Sequence, residues 1–280
     1  MSPLLRAEWL VVLQPSQVLM ARAGLALTRR GLQRRLLCQA MAGCPDTAPG
    51  EPAWTGVVAT LRQQLDGIPV RHASLQVTLS SRFVRYALVP WQAGLRGATE
   101  DATYVRHYFA QMYGASADGW DLCVSSAPAG QPRLASAIDL GLLAALREMC
   151  ALTGLRLRAV RPQLSTTFNR YRRSLSSSGW MVLAEPGCLF IGLFEDGRWL
   201  SIRTMRTDAG WYRQLPALLE REACLANPAG AADQVFLWAP GEAADPPSAP
   251  GRFRFHPLLA PLPAGADAWY QAQFAGGVGR

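Results

Sequence analysis

The chain has 280 residues, half of them hydrophobic and 17% charged, which excludes a globally disordered polypeptide and leaves room for one large α/β unit or two smaller ones. Its formal charge is +8, from 28 basic against 20 acidic residues, and the basic residues are arginines. The apolar run near the start, Trp9 to Leu13, is too short for a secretory leader, and the longest apolar tract, Trp180 to Phe194, is cut by Glu185 and Pro186, so neither a leader nor a membrane-spanning helix is expected.

Trp9 to Met20 is hydrophobic on both sides of "QPSQ" and predicts a short hairpin. "LTRRGLQRRLLCQAMAG" follows, with a basic face made by Arg29, Arg30, Arg34 and Arg35, and fits a helix or a strand. Val57, Val58, Leu61 and Leu65 recur at near-helical spacing and predict a helix over Trp54 to Leu65. The stretch "VTLSSRFVRYALVPW" then reads as a strand from about Ser74, a tight turn at Ser80–Ser81 and a returning strand, Phe83 to Val89. Apolar groups on both faces predict central strands covered on each side, and Pro90 stops the run because it cannot donate to a ladder.

Glu100 to Tyr113 predicts a helix with Thr99 as its cap, acidic residues in its first turn and Gly114 as its stop. "WDLCVSSA" and "LASAID" are strands, "LGLLAALREMCALTG" is a helix ended by Gly154, and "LRLRAVRPQL" is a strand closed at Pro162. "STTFNRYRRSL" predicts a helix capped by Ser165. "GWMVLAEPGCLFIGLFEDGRWLSIRTMR" divides at "EPG" and "EDG" into a three-strand antiparallel meander, Trp180–Ala184, Cys188–Glu195 and Arg198–Thr204. A helix interrupted or started by Pro216, a buried strand from Gln234, an edge strand in "RFRFHPLL" and a frayed tail from Pro263 complete the chain. The order of strands and helices argues for α/β layering, and a similar plan, hairpin-rich strands and then a helix, occurs twice.

That plan resembles the two-lobed actin-like (ribonuclease-H-like) ATPase fold. More narrowly, the chain is similar to the cytoplasmic actin-like proteins of bacterial machines: the type IV pilus inner-membrane accessory protein, the cytoplasmic part of the type II secretion L protein and their relative in mannose-sensitive pilus biogenesis. The residues that carry the likeness are Leu75–Leu79, Ser80–Ser81, Phe83–Val89, Pro90 and the acidic helix from Glu100, then "LRAVRPQLSTTFNRYRR" and the meander at Trp180–Thr204. The resemblance implies an N-terminal lobe over 9–161, a C-terminal lobe with the meander over 162–262 and a flexible tail over 263–280. It also implies a cytoplasmic location, peripheral to the inner membrane through partners, and other pilus or secretion apparatus proteins as those partners.

An active member of that fold holds Mg-ATP between two hairpins, each with an acid and a glycine, because backbone N–H groups cradle phosphate and magnesium takes oxygen ligands. The first hairpin here offers Gln14, Pro15 and Ser16, with no carboxylate and one N–H deleted by proline. The second keeps Glu185 and Gly187 around Pro186, and "FEDGRW" adds Glu195, Asp196 and Gly197, although an acid before glycine is also a common way to build a turn. If nucleotide binds, Ser16, Glu185, Gly187 and Gly197 are the candidate contacts. The pattern predicts no catalytic residue, no metal site and a scaffold that has lost the standard catalytic arrangement. A divergent ATPase of the same fold is the alternative.

Other constellations carry less. His72, His107 and His256 stand outside any HExxH, and a Ser80, His107 and Asp139 triad exists only on paper, without a GxSxG elbow. The six cysteines form no CxxC pair and read as reduced, mostly buried thiols. Arg170, Arg172 and Arg173 beside Phe168 and Tyr171, with the Arg29/Arg30/Arg34/Arg35 group, are solvated faces, a docking surface for an acidic or membrane-proximal partner, or a single-stranded nucleic-acid-binding module.

Overall fold

A computed structural model of the chain describes residues 8–28, 31–66, 68, 73–208, 210–226, 232–240 and 251–258. These fall into two compact units. Of the described residues, one holds those up to Phe83 and Leu140–Arg170, and the other holds Val84–Asp139 and those from Tyr171 to Leu258. The grouping is interleaved along the chain.

The first unit is built on a five-stranded sheet. Strands β1 (Glu8–Gln14), β2 (Gln17–Thr28) and β3 (Gly31–Gly43) form an antiparallel meander, and β4 (Ser74–Leu79) and β8 (Arg156–Pro162) add in parallel, in the order β3-β2-β1-β4-β8. All seven residues of β1 are buried, as its continuous apolar run requires of a central strand. Helices α1 (Thr55–Asp66) and α3 (Leu140–Thr153) pack on each other and on this sheet, with Leu61, Leu65, Leu142 and Leu146 fully buried. Gly154, at φ 72°, ends α3 in the left-handed conformation. The arginine-rich stretch after β2 is a strand: β3 pairs with β2 from Gly31 opposite Thr28 to Gly43 opposite Gln17, a ladder that satisfies its backbone without a helix. Arg29 and Arg30 lie outside the described residues.

The second unit repeats this topology. Strands β9 (Ser178–Glu185), β10 (Cys188–Glu195) and β11 (Arg198–Arg206) are the antiparallel meander, β12 (Gln234–Trp238) and β13 (Arg254–Pro257) add in parallel, and the order is β11-β10-β9-β12-β13. Its core joins Trp180, Val182, Ile191 and Leu193 to Trp211, Leu215 and Leu219 of α5 (Trp211–Ala226). Pro216 neither starts nor breaks α5: the helix runs through it because Trp211, Leu215, Leu219 and Ala223 form one buried stripe on the sheet.

The same unit carries a small sheet, β5-β7-β6, made of β5 (Val84–Val89), β6 (Trp120–Val124) and β7 (Arg133–Asp139), all antiparallel, with α2 (Ala98–Tyr113) packed on it. Here the structure corrects the sequence reading. β4 and β5 are not a hairpin; they enter different sheets, and β5 is an edge strand. The turn between them is tied to the first sheet, since the Ser80 N–H donates to the Leu13 carbonyl and the Phe83 N–H to that of Ser80, both at 2.9 Å. β4 is central in its sheet but alternates in burial, with Leu75, Val77 and Leu79 inside.

Two caps also differ. Thr99 lies inside α2, which starts after Gly97 without a side-chain cap; ahead of the helix, the Glu100 carboxylate accepts the Arg96 N–H at 2.6 Å. Ser165 lies inside α4 (Gln163–Tyr171), which begins directly at the end of β8; there the Thr166 hydroxyl donates to the Pro162 carbonyl at 3.2 Å. Among the described cysteines Cys150 and Cys188 are buried and Cys44 is half-buried, but Cys123 and Cys224 are exposed. The expected tail from Pro263 and His72 lie outside the described residues.

Candidate functional site

Ligands on parallel sheets collect at the carboxyl ends of the strands. In the first unit the register sets Leu13 against Leu79 and Leu79 against Pro162, so Gln14, Ser80 and Gln163 leave three adjacent parallel strands side by side, with neighbouring strands about 4.8 Å apart. Ser81 and Thr167 join them, and all five residues are buried. This is a polar cluster in a place where apolar side chains would be the inexpensive choice.

One bond joins two of its members, and others tie Gln14 and Ser80 to neighbours in their own turns. The Gln17 Nε2 donates to Gln14 Oε1 at 2.6 Å across the first hairpin, and the Gln163 Nε2 donates to Thr167 Oγ1 at 3.0 Å. The Ser80 Oγ accepts the Arg82 N–H at 3.3 Å within its own turn, which makes it a turn former and not a nucleophile. Gln163 Oε1 is buried without a hydrogen-bond donor, an acceptor suited to a water or to a ligand N–H or O–H. The cluster contains no carboxylate. No group of three or more acids, histidines or cysteines arranged to hold a metal occurs among the described residues.

The equivalent corner of the second sheet is the β9–β10 hairpin. Glu185 is its last strand residue and is buried, and Pro186 and Gly187 form the turn. Gly187 stands at φ 69°, where proline at the preceding position and glycine at this one make a tight turn without strain. Its carbonyl accepts the Thr207 N–H at 3.4 Å.

The structure brings some predicted site residues to such corners and separates others. Ser16 is exposed in the β1–β2 turn and its carbonyl accepts the Cys44 N–H at 2.8 Å. Gly187 and Gly197 sit at opposite ends of β10, roughly 25 Å apart for an eight-residue strand, so they cannot contact the same phosphates. Gly197 instead closes a turn in which Asp196 (φ 47°) and Gly197 (φ 77°) are both left-handed, the geometry of a two-residue hairpin with Asp-Gly. His107 is exposed on α2 beside Gln111, at 3.0 Å.

Arg34 and Arg35 lie on β3 opposite Leu25 and Gly24. Arg170 ends α4, and Arg172 and Arg173 are exposed in the turn after it. Sequence reading missed Gln163 and Thr167. The available signal was the step from "RPQ" into a helix at a strand's end, which buries the first helical side chains.

The likeness to an ATPase fold implies Mg-ATP, and the residues at the first hairpin do not fit it. Gln14 is neutral and already bonded to Gln17, and Pro15 removes an N–H from the turn. The carboxylate oxygens that hold magnesium in oxygen cages have no source there.

No protein-family model and no curated protein sequence matches the chain. Solved structures do. The cytoplasmic domain of EpsL, an inner-membrane component of the type II secretion system of Vibrio cholerae, has a TM-score of 0.58 at 11% identity over 96% of this chain and 94% of that one. The PilM–PilN type IV pilus biogenesis complex gives 0.56 at 12% identity, over 84% and 81% of the two chains. A Bacteroides thetaiotaomicron protein with an actin-like ATPase fold and unknown function gives 0.54 at 9% identity, over 83% and 81%. The fold is therefore the actin-like one, the class the sequence resemblance implied. Likeness at this identity extends to the fold and not to the chemistry of the site.

Proposed function

We propose that the protein is a non-catalytic assembly scaffold of a bacterial pilus or type II secretion-like apparatus. It acts in the cytoplasm and reaches the inner membrane through partner proteins of that apparatus. The fold it shares with the EpsL cytoplasmic domain and with PilM supports the setting. One observation supports the absence of catalysis: the carboxyl-end cluster of the first sheet has no carboxylate, and Gln14 is held by Gln17 where a metal-binding acid would be needed. No helix of the described residues is long and apolar enough to cross a membrane, which fits attachment through partners.

A second reading, a divergent Mg-ATP-binding ATPase of the same fold, draws on Glu185 and Gly187 at the second hairpin and on the orphan acceptor of Gln163. Calorimetric titration of the folded protein with Mg-ATP, checked against ADP, separates the two. The scaffold reading expects no heat of binding at high protein concentration. One-site binding followed by phosphate release overturns it.

A further inference from the structure

The open edges of the sheets are not alike. β8 carries Arg156, Arg158 and Arg161, β11 carries Arg198, Arg203 and Arg206, and β13 carries Arg254 and ends in Pro257. β3 includes Arg34 and Arg35. Basic residues and proline on an edge are the usual way of refusing another strand. β6, "WDLCV", is the outer strand of the small sheet and has neither.

Its backbone is also set for pairing. The Ser125 N–H donates to the Leu134 carbonyl at 2.8 Å, and Asp121 and Cys123 are in step with it, opposite Ile138 and Ser136. The alternation of an antiparallel ladder then turns the N–H and C=O groups of Leu122 and Val124 outward. A cavity of about 590 Å³ lies along this edge between β6 and α2. The α2 wall is low, made by Ala98 and Ala102 one helical turn apart, with Val105, Leu122 and Val124 as apolar lining and Arg106 exposed at one end. Of the two acids in the lining, Asp101 is neutralised by a bidentate pair with Arg133 at 2.5 and 2.8 Å, and Asp121 is exposed on β6.

We propose that the β6 edge and the α2 groove form a docking site for an extended peptide segment of a partner protein. The segment adds a strand to β6, seats small or branched apolar side chains against Ala98 and Ala102, and places an acidic side chain at Arg106. Main-chain hydrogen bonds supply the affinity and the alternate side chains the selectivity. This chain carries a net charge of +8, so at a groove with Arg106 exposed an acidic segment of another protein is better matched in charge than a second, equally basic copy. The inference rests on the open edge and not on the assembly reading, so the two fail separately.

The test is selection of displayed random 12-residue peptides on the full chain, followed by calorimetry of the enriched peptide and hydrogen exchange of the complex. The expected peptides alternate apolar residues and carry an acid, and they protect the Leu122 and Val124 amides. Leu122→Pro, which deletes an outward N–H on an edge strand where proline is tolerated, weakens binding at least tenfold. Ala102→Glu does the same from the exposed face of α2, and Arg106→Glu weakens the acidic peptide selectively; circular dichroism verifies that each variant folds. Failure to enrich any peptide overturns the proposal, as does binding indifferent to Leu122→Pro and Ala102→Glu. A concentration-dependent dimer that Leu122→Pro makes monomeric overturns it in favour of a second copy.

Discussion

The two five-stranded sheets share one topology and differ at one corner. Each is a three-strand meander followed by two parallel strands, in the orders β3-β2-β1-β4-β8 and β11-β10-β9-β12-β13. The first hairpin of the first sheet turns on Gln14–Pro15–Ser16–Gln17, and its counterpart turns on Glu185–Pro186–Gly187–Cys188. The second has an acid and a left-handed glycine; the first has Gln14, which accepts from Gln17 across the turn, and an exposed Ser16. A sheet topology is fixed by backbone pairing and apolar pattern, so it survives while the chemistry at its corner is replaced.

The comparison breaks most severely in the core of the second sheet. Trp180 is fully buried and its indole N–H donates to the Ala232 carbonyl at 2.9 Å. Trp180→Ala leaves a large cavity and an unpaired carbonyl, with an expected loss of about 3–5 kcal/mol. Chemical denaturation read by circular dichroism measures it. If only part of the signal moves to lower denaturant, the two units fold separately; a single shifted transition joins them. Gly192→Ala probes the opposite face of the same sheet from the backbone, since an added Cβ would meet the Trp199 ring at 2.4 Å and Phe190 at 2.9 Å.

Next is the corner itself. Gln14→Asp restores an acid at the first hairpin, at a position that is 1% exposed. Burial without a cation raises such a carboxyl group and destabilises its charged form, so the variant loses about 1–3 kcal/mol at neutral pH and recovers part of it in acid. Adding magnesium and ATP leaves its melting temperature unchanged if the hairpin no longer belongs to a nucleotide site. A magnesium-dependent rise that the parent protein lacks would place the corner one residue from function and favour the ATPase reading.

The two turns differ measurably in backbone. Gly187 stands at φ 69° with open space around it, so Gly187→Ala pays for the left-handed conformation and not for a clash, about 1–2 kcal/mol. Ser16 is exposed and its φ is not positive, so Ser16→Ala changes stability by a few tenths of a kcal/mol at most. Equal effects from the two substitutions, measured by urea denaturation, would contradict the difference between the turns.

Most of the fold was legible because it is written in local patterns. The meander from Trp180, the strand from Ser74 and the helix from Leu140 announce themselves through apolar runs, paired turn residues and periodicity. What was not legible was pairing at a distance. "VTLSSRFVRYALVPW" contains both its strands, but nothing within it records that β4 joins β1 and β8 while β5 joins β7. The same limit hid the candidate site: Gln14, Ser80 and Gln163 are scattered in sequence and become neighbours only through the parallel register. Caps were misplaced where a helix begins without a side-chain cap, as α2 does after Gly97.

The smallest effect concerns what carboxylates do where they remain. Asp101 on α2 holds Arg133 of β7 through two hydrogen bonds, which link the helix to the small sheet. That bonding to the guanidinium holds the Asp101 carboxyl below the usual carboxylate range, outweighing the opposing effect of burial. A carboxyl lowered in the folded state stabilises the protein above its unfolded value, and the contribution disappears as pH falls through the folded value. The acid limb of the stability profile therefore loses this pair last, at a pH below that of an ordinary aspartate. The side chains remain 32% and 18% exposed, so solvent screening limits the contribution to about 1 kcal/mol or less. Asp101→Asn should lower the melting temperature slightly at pH 7 and not at all once the parent carboxyl is protonated. A pH-independent difference between the two would mean that the pair acts through packing alone. The remaining acids could then not be read as structural struts, and Glu185 would regain its claim to a chemical role at the second corner.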